Sequence, residues 1–83
     1  MTTNQTKGRN LASIRSALGL DIAAVARRSR VKLAHVHAAE CGDQIHFDRV
    51  AIGLLVAAMP RARRGDLAAR AALQALLRLL EAA

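Results

Sequence analysis

Apolar residues recur at helical spacing along most of the chain. Leu11, Ile14 and Leu18 lie three and four residues apart, so they share one face of a helix. Apolar residues show similar spacing in the later segments of the chain. We therefore predict an all-α fold of five helices, over about residues 9–18, 21–29, 32–41, 47–59 and 66–81.

The residues between these segments predict where each helix begins and ends. Gly19 and Gly42 follow helices 1 and 3 as residues that tolerate a positive φ. Asp21 and Asp66 precede helices 2 and 5 as N-caps. Pro60 is predicted to end helix 4, because proline lacks the N–H that a helix interior needs.

This pattern divides the chain into three parts. Residues 1–9 are polar and predict a flexible tail. Residues 10–60 are predicted to form a helical domain, and residues 61–83 a basic linker followed by a C-terminal helix.

Helix 5 has a wider apolar side than one contact with a small core requires. We predict that the excess surface contacts a second copy of the chain. The alternative is a helix that packs fully on its own domain. The residues proposed for dimerisation are Leu73, Leu76, Leu77 and Leu80.

Composition supports a small helical domain inside the cell. Hydrophobic residues make up 53% of the chain and Phe47 is the only aromatic residue, so Leu, Ile, Val and Ala must build the core. Cys41 is the single cysteine, which excludes an intrachain disulfide and fits a reducing cytoplasm. The longest apolar run, residues 50–59, is too short to cross a membrane, and residues 1–10 do not resemble a signal peptide. We expect a cytoplasmic protein.

The charge balance indicates a polyanionic partner. The formal net charge is +7 in 83 residues. Arg27, Arg28, Arg30 and Lys32 fall within six residues of one another. Nucleic acid is the commonest polyanion that such a cluster binds. The alternative is a basic surface that is simply solvated.

Opposite charges on helices 1 and 3 predict an internal ion pair. Arg15 and Glu40 lie on the inward-facing edges of these helices. A partly buried pair would fix the register of the two helices, whereas two exposed charges would contribute little. We favour the buried pair.

The segment from residue 14 to residue 59 resembles the Cro/C1 repressor class, often called XRE-type helix-turn-helix proteins. The resemblance covers about half the chain. The matching residues are Arg15 before Gly19-Leu20, then Asp21, Val25-Ala26, Val31, Val36, Glu40-Cys41-Gly42 and Phe47-Asp48.

The resemblance implies a dimeric, sequence-specific transcriptional regulator, acting as a repressor or autoregulator on a near-palindromic operator. It implies that helix 3 enters the major groove of double-stranded DNA. The residues expected to contact bases are Lys32, Leu33, Ala34, His37 and Ala38. The residues expected to contact phosphates are Arg27, Arg28, Arg30, His35 and Arg49.

Three positions depart from the family's pattern. Ile22 stands where Gln is usual, Arg30 where Gly is usual, and Lys32 where Ser or Thr is usual. Helix 3 also lacks Asn, Gln and Arg, the residues that form bidentate hydrogen bonds with base edges. These departures favour an alternative function: a protein-binding antitoxin or antiactivator built on a degenerate helix-turn-helix.

Metal binding and catalysis have weak support. His37 and Cys41 lie four residues apart on one helical face, and His46 is the available third ligand, but the spacing matches no zinc motif. The sequence contains no nucleophile–base set and no glycine-rich phosphate loop. We expect no metal, no cofactor and no enzymatic activity.

Overall fold

The computed structural model describes residues 2–81, and that range is all-helical, with no strand. The structure confirms the predicted all-α fold of five helices. The helices are α1 Thr3–Ala17, α2 Ile22–Ser29, α3 Leu33–Glu40, α4 Phe47–Arg63 and α5 Leu67–Glu81. None of these helices has the length and apolarity that a membrane span requires.

One hydrophobic core joins all five helices. Leu11 of α1, Val25 of α2, Val36 of α3, Leu54 of α4 and Leu76 of α5 are each fully buried in it. α4 lies at the centre, since it packs against each of the other four helices. The aliphatic core predicted from composition is confirmed.

The first helix begins at Thr3. The prediction of a flexible tail over residues 1–9 is therefore wrong for residues 3–9, which are helical. Thr2 and Gln5 form a capping box: the Thr2 hydroxyl accepts the Gln5 N–H at 3.1 Å, and the Gln5 side chain accepts the Thr2 N–H at 2.9 Å. Gly8 is also buried. The cap and this packing together extend the helix into a polar segment.

The fourth helix continues through Pro60 to Arg63, so the prediction that Pro60 ends it is wrong. The predicted basic linker from residue 61 is therefore mostly helical. Arg61 donates hydrogen bonds to the Leu18 carbonyl at 2.6 Å and to Asp66 at 3.0 Å, and Ala62 is buried in the core. These tertiary contacts offset the single helical hydrogen bond that proline cannot make.

Asp66 caps α5 as predicted. Its carboxylate accepts the Ala69 N–H at 3.2 Å and also pairs with Arg61. The Ala69 N–H first, and the Arg61 side chain second, hold the pKa of Asp66 below its ordinary value. The folded state therefore gains stability from this carboxylate above about pH 4, and loses it as the pH falls further.

The fifth helix packs into the same core as the other four helices. The predicted boundary after residue 60 therefore does not separate two structural units. Leu76 was predicted to contact a second copy, but it is fully buried inside its own subunit. Leu73 and Leu80 are half-buried against the same core. Leu77 remains 48% exposed.

Ser29 of α2 packs against Gly53 of α4 at a contact with no spare room. A Cβ at Gly53 would overlap the Ser29 hydroxyl, which explains why glycine stands there. Ser29 is buried, and its hydroxyl has no hydrogen-bond partner in the described chain.

Replacing Ser29 with alanine is expected to stabilise the fold by about 1 kcal/mol, because it removes a buried polar group without a partner. Thermal unfolding should show a melting temperature about 4 °C higher. The matched control is Ser16→Ala, an exposed serine on α1, which should change little. A destabilised Ser29→Ala protein would mean that the hydroxyl is hydrogen-bonded in solution.

Candidate nucleic-acid interface

A three-residue turn connects α2 to α3. Arg30 ends α2 in the left-handed conformation, with φ 57° and ψ 43°. Its N–H and that of Val31 donate to carbonyls in the last turn of α2. Left-handed backbone costs an L-residue roughly 1–2 kcal/mol compared with glycine. The turn is therefore built with an arginine where glycine would be less strained.

The helix that follows has one face in the core and one face in solvent. Val36 and Ala39 of α3 are fully buried. On the other side Leu33 is 55% exposed, and the remaining predicted base-contacting residues are also accessible to different degrees. Those residues are Lys32, Ala34 and His37, which are exposed, and Ala38, which is half-buried.

Exposed basic side chains precede and follow α3 in the chain, at the end of α2, in the turn and at the start of α4. Arg27 and Arg28 are exposed on the last turn of α2, Arg30 is exposed in the turn, and Arg49 is exposed on α4. None of them pairs with an acidic side chain within residues 2–81. Their charges are therefore available to an external anion.

The structure joins several of the predicted phosphate-contacting residues in one open cleft of about 350 Å³. The His35 ring stacks on the His46 ring, with centroids 3.9 Å apart and planes 18° apart. Sequence reasoning missed His46 as part of this surface, because the pairing depends on how the loop after α3 folds back. The lining residues are Arg30, Val31, Lys32, His35, His46 and Arg49.

The predicted ion pair between Arg15 and Glu40 is confirmed. Arg15 Nε lies 2.6 Å from Glu40 Oε2, and Arg15 Nη2 lies 3.3 Å from Glu40 Oε1. Arg15 Nη1 also donates to the Leu20 carbonyl at 2.9 Å. The pair therefore ties α1 to the end of α3 and to the loop that enters α2, which fixes the position of α3.

The residues considered for a metal site do not converge. His37 Nε2 lies 3.8 Å from Cys41 Sγ, but His46 stacks on His35 instead of joining them. Within residues 2–81, no group of three or more His, Cys, Asp or Glu side chains is placed to hold a metal ion.

The sequence matches no protein-family model, and no curated protein or solved structure is significantly similar to it. The class of protein that the fold defines is a compact five-helix bundle.

Proposed function

We propose that this protein binds double-stranded DNA as a repressor-type helix-turn-helix module, with α2 and α3 as the helix pair. One observation carries the proposal. Exposed arginines without an acidic partner in the described chain stand at the α2–α3 turn and at the start of α4, and two of them line one cleft with Lys32 and His35 at the beginning of α3.

The dimensions of α3 suit the major groove. An α-helix with its side chains is about 10–12 Å across, close to the roughly 12 Å width of the groove, and the eight residues of α3 extend about 12 Å along its axis. Its buried side is fixed by Val36 and Ala39, and its C-terminal end by the Arg15–Glu40 pair. A rigidly held helix can present the same side chains to each site that it meets.

The chemistry of the exposed face favours strong phosphate contact and modest base reading. His37 can donate a hydrogen bond to guanine, while Leu33 and Ala34 can contact thymine methyl groups. With no Asn, Gln or Arg on α3, direct base recognition is limited. Sequence preference then also depends on the shape and deformability of the site.

We further propose that the protein acts as a dimeric transcriptional regulator, a repressor or autoregulator. Two copies of α3 about 34 Å apart would enter successive major grooves of a near-palindromic operator. Leu76 is no longer available for the dimer contact. Leu77, which is half exposed, and the edges of Leu73 and Leu80 are the parts of the predicted surface that remain accessible.

A protein-binding role as an antitoxin or antiactivator is the second candidate. Leu33 favours it, because this large apolar side chain at the start of α3 is 55% exposed. A stoichiometric complex with a protein partner, together with no DNA binding at low salt, would support this role over the first.

The proposal is tested by the salt dependence of binding to a fluorescent DNA duplex, measured by anisotropy. Contacts from five basic residues predict a slope of about −4.5 in the logarithm of affinity against the logarithm of salt concentration. Arg28→Ala should make that slope shallower by about 1. Arg78→Ala, which removes one exposed charge from α5, serves as the control and should leave the slope unchanged.

If Arg28→Ala and Arg78→Ala have equal effects, net charge alone governs binding and the assigned face is wrong. Absence of any binding by the native protein at low salt would contradict the DNA-binding proposal itself.

A further inference from the structure

We propose that the cleft between the α2–α3 turn and the start of α4 is a binding site for phosphate groups. Five of the residues that line it are basic and none is acidic: Arg30, Lys32, His35, His46 and Arg49. One source of the phosphate is the DNA backbone, and for that source the inference rests on the proposed function. A free phosphorylated molecule is the other source.

The side chains in the cleft supply the donors that a phosphate needs. Arg30 and Arg49 present guanidinium groups, which can bind two phosphate oxygens at once, and Lys32 adds an ammonium. The stacked rings of His35 and His46 hold further N–H donors at a fixed position. Without an anion the positive charges of Arg30, Lys32 and Arg49 repel one another, so a bound phosphate would offset that repulsion.

Three of these residues also stand where local structure favours a different residue. Arg30 adopts a left-handed conformation that glycine prefers. Lys32 and His46 are the N-caps of α3 and α4, and neither side chain makes a capping hydrogen bond. A lysine at an N-cap can accept no hydrogen bond, and its charge opposes the positive end of the helix dipole.

Such departures from local preference commonly coincide with functional sites. Here three of them line the same cleft, and each places a basic side chain there. A phosphate in the cleft would reverse their effect, because it brings negative charge to the beginnings of both helices. These residues therefore destabilise the free protein, and an anion bound in the cleft would offset that loss of stability.

The test compares the native chain with the double variant Lys32→Ser/His46→Ser. Serine supplies the missing cap at position 32, where the backbone is extended as an N-cap requires, so the variant should fold and melt about 4 °C higher than the native protein in chloride. Sodium pyrophosphate is then added at constant ionic strength. At about ten times its dissociation constant it should raise the melting temperature of the native chain by about 6 °C, and that of the variant by much less.

Imidazole proton NMR signals provide the second measurement. Pyrophosphate should shift the signals of His35 and His46 in the native chain, and should leave His37 unchanged. Arg78→Ala is the control and should respond as the native chain does. Equal melting shifts in the native chain and the double variant, with no histidine shifts, would overturn the proposal.

DNA titrations distinguish the two sources of the phosphate. If the DNA backbone occupies the cleft, the double variant should lose about 1–2 units of the salt slope. If the pyrophosphate responses occur but the slope is unchanged, the cleft binds a free phosphorylated molecule. If neither the native chain nor the double variant binds DNA, but the native chain still binds pyrophosphate, the proposed DNA function fails and the phosphate site stands.

Discussion

Replacing Glu40 with alanine is expected to lower the free energy of unfolding by about 3 kcal/mol. The substitution leaves the Arg15 guanidinium without its carboxylate, although only 19% of the Arg15 side chain reaches solvent. An unpaired charge in such a place is far more costly than the loss of an exposed ion pair, which is worth about 0–1 kcal/mol. Urea denaturation monitored by circular dichroism measures the difference.

The matched control is Glu81→Ala, at the exposed end of α5, which should change stability by less than about 0.5 kcal/mol. Replacing both partners, as in Arg15→Leu/Glu40→Leu, should recover part of the loss, because no charge is then left unpaired. A loss of under about 1 kcal/mol in Glu40→Ala would mean that the pair behaves as an exposed one in solution.

Replacing Gly8 with alanine is expected to destabilise the fold by up to about 3 kcal/mol, through overpacking. A Cβ at Gly8 would lie 2.7 Å from the Glu40 carbonyl oxygen, 2.8 Å from the Ala39 carbonyl oxygen and 2.8 Å from the Gly42 nitrogen. All three are backbone atoms at the end of α3, so no side-chain rotation relieves the contact. Thermal or urea unfolding of the variant checks this expectation.

Helix propensity alone predicts the opposite result for this substitution, a gain of about 1 kcal/mol. The sign of the effect therefore decides whether α1 and α3 approach as closely as the structure shows. Asn10→Ala is the control, since Asn10 is exposed on the same helix and should gain a few tenths of a kcal/mol. A more stable Gly8→Ala protein would contradict the close contact.

Local sequence signals were sufficient for the helix pattern but not for all of the helix ends. The Asp21 and Asp66 caps and the Leu11–Ile14–Leu18 face depend on nearby residues, and the structure contains them as predicted. Pro60 was misjudged because the helix around it is held by Arg61, which reaches the distant Leu18 carbonyl.

The candidate site shows the same division between local and distant effects. The exposure of Leu33 and the burial of Val36 follow from helical periodicity. The stack of His35 on His46 brings together residues separated by the end of α3 and a loop, which periodicity does not encode. Leu76 lay on the predicted apolar side of α5, but periodicity could not distinguish its own core from a partner's surface.

The most direct test of the DNA-binding proposal is backbone amide NMR of the protein during titration with a duplex of about 20 base pairs. We predict that shifts concentrate at residues 27–37 and 46–49, which form the α2–α3 turn, the exposed part of α3 and the start of α4. Shifts confined to α5, or none at low salt, would contradict the account.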